Sequence, residues 1–386
     1  MSLIPALLSL YILLKPFYLW SSGLPQISDF VLLAAFIITI FTTSKKNILA
    51  VVKNNRSFFI FLVLVAIINL LYSINYADGD FNLHTAYYLF DALGIVTFSI
   101  YLEKEPESQE KLKKPFKISL IMQLAIFLLH IGRYYGSTRY MGTFNDPNQF
   151  AYYCLLSYGY IFLLGLKDKK ITDLIYLIVA IVLIFASAST GMLIGMGVFL
   201  ILHLIPAFNS LLLKIKHNPV PILISCALIA VVGSIFVSAT DNQSINNLVN
   251  NPIVGRVQEK LSRAKGNSDI TLWQERGYDR IYYYPLYVLY GAGEGAFWRF
   301  DQAFHQGEFH ATLPSILFCY GIIPLTLIVY WLYKKLQGQH FEALCVYIAI
   351  LAESFTLINS RQVLFWTFFI LSSYLMKAKG QNEKNR

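Results

Sequence analysis

Residues 174–213 hold no Asp, Glu, Lys or Arg across 40 consecutive positions. As a single helix that run would be roughly 60 Å long at about 1.5 Å per residue, twice the hydrocarbon thickness of a bilayer. It therefore has to fold back on itself. The stretch Ser187-Ala188-Ser189-Thr190-Gly191, small and polar inside an apolar run, predicts the turn. The rest of the chain agrees with this reading. Charged residues make up 14% of 386 positions and mean hydropathy is +0.54, whereas soluble domains carry about 25% charged residues. An ordinary water-soluble globule is excluded.

The apolar runs predict twelve spans, at 3–20, 29–43, 57–74, 85–102, 118–132, 150–166, 171–188, 190–208, 220–238, 311–333, 342–358 and 361–376. The expected fold class is all-α, a polytopic membrane bundle of about twelve helices. Nine spans fall in 1–238, one long external loop in 239–310, three spans in 311–376 and a tail in 377–386. The first run lacks a basic n-region and a small-residue cleavage site, so it is expected to stay as an uncleaved span. Short connections place 20 Lys and Arg on one side, against Arg133, Arg139 and Arg361 on the other. By the positive-inside rule the 20-charge side is cytoplasmic, as are both termini. The net charge of +9 is thus a topology signal and gives no reason to expect nucleic acid. Cys154, Cys226, Cys319 and Cys345 sit in apolar segments without ligand spacing, so no disulfide scaffold, metal or cofactor is expected.

The two cations separate. Eighteen of 21 Lys lie inside, while eight of ten Arg lie outside, at 133, 139, 256, 263, 276, 280, 299 and 361. The planar guanidinium grips phosphate through two parallel hydrogen bonds, so the external arginines point to a phosphate-bearing ligand. Pairing with the loop's own acids is the structural alternative, strongest for Arg256, Arg263 and Arg299. Residues 273–285 read as a short amphipathic helix, with Arg276 and Arg280 on one face to hold one diphosphate and the aromatics at headgroup level. In 291–295, Gly-Ala-Gly-Glu-Gly, the glycines either let backbone N–H groups approach a ligand or form a flexible loop.

Thr312 and Pro314 read as the N-cap and first turn of the tenth span. His310 would then lie at a helix start beside Glu308 and the Arg pair, and is a candidate catalytic residue. Asp146 and Pro147 read as another cap and first turn, which leaves Arg139, Asn145 and Asn148 without a capping explanation. Asp91 and Glu353, charged within spans, are expected to face the bundle interior, Glu353 in an ion pair with Arg361. Lys15 is expected to snorkel, and His84 shows no chemical company in the sequence.

Four pieces, RYMGTFNDPNQF (139–150), ERGYDRIYYYP (275–285), GAGEGAFWRF (291–300) and GEFHATLPSILFCYGI (307–322), carry a resemblance. In this order, with a twelve-span layout, the chain resembles the bacterial O-antigen and capsular polysaccharide polymerases, within the O-antigen ligase/polymerase family. It departs from the ligases in having no Arg after Ser189-Thr190 and Ala311 rather than Asn after His310. The resemblance implies metal-independent glycosyl transfer at the periplasmic face of the inner membrane. A growing glycan on undecaprenyl diphosphate is the implied donor, and a repeat unit on the same lipid the acceptor.

Arg276, Arg280, Arg139 and Arg361 would bind diphosphate, and His310 would be the base. Glu308 would orient His310 or the acceptor sugar, and Asn145, Asn148, Glu294 and Tyr278 would contact substrate. A flippase and chain-length regulators are implied partners. Two other functions stay open: a ligase moving glycan to lipid A–core, and a lipid-linked glycan transporter. Few intramembrane charges speak against the transporter.

Overall fold

The computed structural model describes residues 3–20, 25–104, 108–136, 138–166, 172–214, 255, 263, 270–304 and 307–384. The expected ninth span, 220–238, and most of 239–269 lie outside the described residues. The described chain runs α1 (Leu3–Leu14), α2 (Ile27–Thr42), α3 (Lys45–Asn54), α4 (Arg56–Tyr76), α5 (Asp80–Lys104) and α6 (Ser108–Leu128). A hairpin of β1 (Arg133–Tyr135) and β2 (Arg139–Gly142) leads to α7 (Pro147–Gly165), α8 (Asp173–Ser187) and α9 (Thr190–Lys214). Three short helices follow, α10 (Leu272–Glu275), α11 (Asp279–Tyr283) and α12 (Tyr287–Tyr290). The described chain closes with α13 (Thr312–Tyr320), α14 (Ile322–Leu336), α15 (Phe341–Glu353) and α16 (Val363–Lys384). The architecture is helical, as the sequence predicts, with one small antiparallel hairpin among the described residues that the apolar pattern does not foretell.

The uncharged run folds back where expected: α8 ends at Ser187, Ala188 takes φ 51°, and α9 starts at Thr190. Asp146 caps α7 as expected, accepting from the N–H groups of Asn148 and Gln149 at 2.8 and 2.9 Å, with Pro147 in the first turn. Helix α7 is buried along nearly its whole length and packs against α6, α8 and α9. Trp366 of α16 sits fully buried against Phe58 and Trp331, and its indole donates to Asp91 Oδ2 at 3.1 Å. Asp91 and Glu353 are both interior, as their cost in lipid requires.

Among the described residues two helices, Arg56–Tyr76 and Asp80–Glu103, are long and apolar enough to cross a membrane, and five further apolar helices are shorter, at 10–17 residues. The surface is apolar on several helices. Phe30, Leu33, Ile37 and Phe41 of α2, Ile60, Val63, Ile67, Leu70 and Ile74 of α4, and Ile175, Ile178 and Val182 of α8 all face outward. Water-soluble proteins rarely present stripes of that extent.

Several expectations need correction. Residues 311–333 are not one helix, because Gly321 at φ 85° separates α13 from α14. Residues 273–285 break into short pieces at Gly277, φ 76°, and before Pro285, so Arg276 and Arg280 do not share a helix face. Thr312 is the first residue of α13 and Ala311 its cap; the Thr312 hydroxyl donates to the Leu357 carbonyl and accepts from Asn359 N–H. Lys15 does not snorkel. It is 2% exposed and bonded to Asp29 at 3.2 Å.

Candidate functional site

A cavity of about 150 Å³ lies where the starts of α7 and α9, the turn after α10 and the chain past α15 converge. Its walls are Asn148 in the first turn of α7, Ser189 to Met192 at the start of α9, Glu275 and Arg276, His310, and Thr356 with Leu357. Helix α9 comes this close because Gly191 and Gly195 face its neighbours one turn apart. A Cβ at Gly191 would sit 2.0 Å from Thr356 Oγ1, and one at Gly195 2.9 Å from Leu155 and 3.1 Å from Glu353. Small residues at this spacing let helix backbones approach closely.

Arg139 ties three elements together at the cavity's edge. Its Nε donates to the Ser187 carbonyl at 3.1 Å and its Nη2 to Asn148 Oδ1 at 2.8 Å, while the Ser189 hydroxyl donates to the same oxygen at 3.0 Å. The Arg276 guanidinium donates to the Thr356 carbonyl, and the Arg276 carbonyl accepts the His310 N–H at 3.3 Å. Arg276 and His310 are therefore held as neighbours by backbone and loop contacts. The start of α9 adds the N–H groups of a helix's first turn and the positive end of its dipole. The acid on the wall, Glu275, is paired with Arg263 at 2.9 Å. A guanidinium, a helix start and an imidazole in one polar cavity suit an anion and a proton transfer.

A second polar cluster is centred on Arg361. Its Nη2 donates to Glu294 Oε1 at 2.5 Å and its Nη1 to Glu308 Oε2 at 2.9 Å. The other Glu294 oxygen accepts from Tyr320 at 2.6 Å, and the Glu294 N–H donates to Asn69 Oδ1 at 2.9 Å. The other Glu308 oxygen faces His84 Nε2 at 3.5 Å. Burial alone would raise the Glu308 carboxyl, but the contact with His84 and the charge of Arg361 hold it down at about 2. Burial likewise works against the Glu294 carboxylate, and Arg361 and His84 keep it below the usual range.

The glycine motif serves this second cluster. Gly291 and Gly293 have φ 85° and 69°. The N–H groups of Ala292 and Gly293 donate to the Phe318 and Cys319 carbonyls at 2.9 and 2.7 Å, carbonyls released by the break at Gly321. A Cβ on Gly291 would meet Cys319 O at 2.7 Å. The loop is a close backbone contact that delivers Glu294 to Arg361, with the N–H groups of residues 291–294 engaged by protein.

Of the sequence candidates, Arg139, Asn148, Arg276 and His310 come together at the cavity, and Glu294, Glu308 and Arg361 in the second cluster. Arg361 is not the partner of Glu353, which accepts from Asn359 Nδ2 at 2.5 Å. Arg280 lies elsewhere: fully buried, it donates to the Gly307 carbonyl and sits over the rings of Phe297, Phe300 and Phe309 at 5.6, 5.4 and 5.0 Å. Asn145 bridges Arg133 and the Trp20 carbonyl, and the Tyr278 hydroxyl donates to Phe355 O. Both hold the fold.

Sequence reasoning missed Ser189, Thr356, His84, Asn69 and Tyr320. The Gly191–Gly195 spacing was a readable signal for the first two. No local pattern marks His84 or Tyr320, whose partners lie far along the chain. Among the described residues no group of three His, Cys, Asp or Glu is placed to hold a metal ion. No protein-family profile matches the chain, and no curated protein matches its sequence significantly.

Proposed function

We propose that this chain is a multi-pass membrane glycosyltransferase, a polymerase that joins lipid-diphosphate-linked oligosaccharide repeats at the periplasmic face of a bacterial inner membrane. The observation that carries the reading is that Arg276 and His310, bonded through their backbones, share one polar cavity with the start of α9. The outward apolar faces of α2, α4 and α8 and the Lys distribution support a polytopic chain with both termini cytoplasmic.

In this reaction the diphosphate of the donor lies against Arg276 and the α9 start, where developing negative charge is stabilised. The acceptor hydroxyl oxygen attacks the donor's anomeric carbon, and its proton passes to the His310 imidazole. The bond from that carbon to the diphosphate oxygen breaks, and undecaprenyl diphosphate leaves with the electron pair. Arg139 acts by fixing Asn148 and Ser189 on the cavity wall. Arg280 and Arg361, engaged by protein, have no part in holding the diphosphate.

The test is His310→Ala in an O-antigen host at matched protein level. Lipid A–core carrying a single repeat, with the longer ladder gone, is the expected gel. A normal ladder would overturn the role of His310. Bare core with polymer stranded on undecaprenyl diphosphate would move the chain to the ligase reaction.

A further inference from the structure

The second cluster has one member that reaches the surface. Arg361 and His84 have side chains 17% and 5% exposed and Glu294 1%, whereas the Glu308 side chain is 44% exposed. A carboxylate gripped on one oxygen by Arg361 and faced on the other by His84 is a poor base, because the Arg361 charge and the imidazole contact both favour its ionised form. It remains an acceptor of hydrogen bonds, since each oxygen has two lone pairs.

Its place in the chain is specific. Glu308 is two residues before His310, a separation of at most about 7 Å between α-carbons. Phe309 between them is buried against Phe318 and beneath Arg280, while Glu308 and His310 are both partly exposed. Aromatic rings pack on the two groups that hold the carboxylate: Tyr87 lies beneath the Arg361 guanidinium at 5.6 Å, and Phe297 packs edge to face with His84 at 6.1 Å. A fixed, partly exposed acceptor whose two holders carry aromatic rings suits a ligand with hydroxyls on its edge and C–H groups on its face, which is a sugar.

We propose that Glu308, locked by His84 and Arg361, is the hydroxyl-binding subsite for the acceptor's terminal sugar, next to His310. This rests on the polymerase reading and deepens it: the diphosphate of the donor and the sugar of the acceptor occupy the two sides of one short segment. Glu308 touches substrate in this account. His84 is a positioning residue, acting only through Glu308.

The experiment uses the purified full-length protein and lipid-linked repeat units extracted from a host strain lacking it, with elongation measured against repeat-unit concentration. Losing a hydrogen bond to a charged acceptor is worth about tenfold or more. Glu308→Gln should raise the half-saturating concentration about tenfold and change the maximal rate per folded molecule less than threefold. His84→Gln, which keeps a neutral donor and should fold in any case, should shift it in the same direction by less. Combining the two should be no worse than Glu308→Gln alone. Unchanged half-saturation in both single variants, with rate lost only in proportion to folded protein, would overturn the subsite and leave a structural ion network. A wild-type protein that does not elongate at all would overturn the polymerase reading itself.

Discussion

Gly291→Ala is expected to destabilise the protein far more than one added methyl group normally does. The native backbone there has φ 85° and ψ 153°, a region that only glycine enters freely, and holding alanine in it costs about 1–3 kcal/mol. The added Cβ would lie 2.7 Å from Cys319 O and from the Tyr320 backbone, atoms that cannot rotate away. The loop must therefore shift, and the bonds from Ala292 to Phe318 and from Gly293 to Cys319 go with it. Each is worth about 0.5–1.5 kcal/mol. The sum, about 2–6 kcal/mol, is large against a typical total of about 5–15 kcal/mol.

The assay is thermal unfolding in detergent, paired with Gly197→Ala as control. Gly197 lies inside α9, and a Cβ added to it would meet nothing within 4 Å, so alanine there should be neutral or stabilising by up to about 1 kcal/mol. If Gly291→Ala melts no lower than Gly197→Ala, the backbone contact between the glycine loop and the α13–α14 break is wrong.

Three further outcomes follow from other parts of the molecule. Lys15→Met leaves Asp29 buried without its cation and should cost about 3–5 kcal/mol, while Lys15→Met with Asp29→Asn should recover most of it; equal melting of the two would show that the pair carries no charge coupling. Glu308 is held at about 2 against an ordinary 4.5, and Glu294 is lowered too. Because these folded-state values are depressed, their contribution to stability is present above about pH 4.5 and is lost as pH falls towards 2, so melting should drop across that window. Arg361→Gln should flatten that part of the profile, and an unaltered profile would contradict the ion network. A cysteine at Tyr282, 78% exposed, should react with a membrane-impermeant thiol reagent in intact spheroplasts, and one at exposed Lys46 should not; Cys154, Cys319 and Cys345 are buried, and Cys226→Ser completes the background. The reverse pattern would invert the topology.

What the sequence revealed and what it hid divide along physical lines. The fold-back at Ser187–Gly191 was legible because an uncharged run of that length has one way to fit a bilayer, and the Asp146 cap because capping is local. Asp91 and Glu353 were placed inside by solvation cost alone. Partners were not legible. Glu353 lies near Arg361 in the chain, yet Arg361 turns to Glu294 and Glu308, which are 67 and 53 residues away. The 273–285 segment has helical spacing throughout, but Gly277 adopts positive φ and Pro285 interrupts it, so periodicity gave one helix where there are several pieces. At 311–333 the apolar run continues through Gly321, and tertiary contact with Leu289 and Gly291 breaks it there. His84 reads as a lone polar residue at a helix start; only the folded chain brings it to Glu308.

The central claim is that the Arg276–His310 cavity transfers glycan with loss of lipid diphosphate. The most direct measurement follows radiolabelled lipid-linked repeat units on the purified protein, counting undecaprenyl diphosphate released against glycosidic linkages formed. The account predicts one diphosphate per linkage for the wild type, and loss of both products together in Arg276→Lys, since a point charge does not replace the two-pronged guanidinium. Linkages formed at wild-type rate by Arg276→Lys, or glycan extended without diphosphate release, would contradict it.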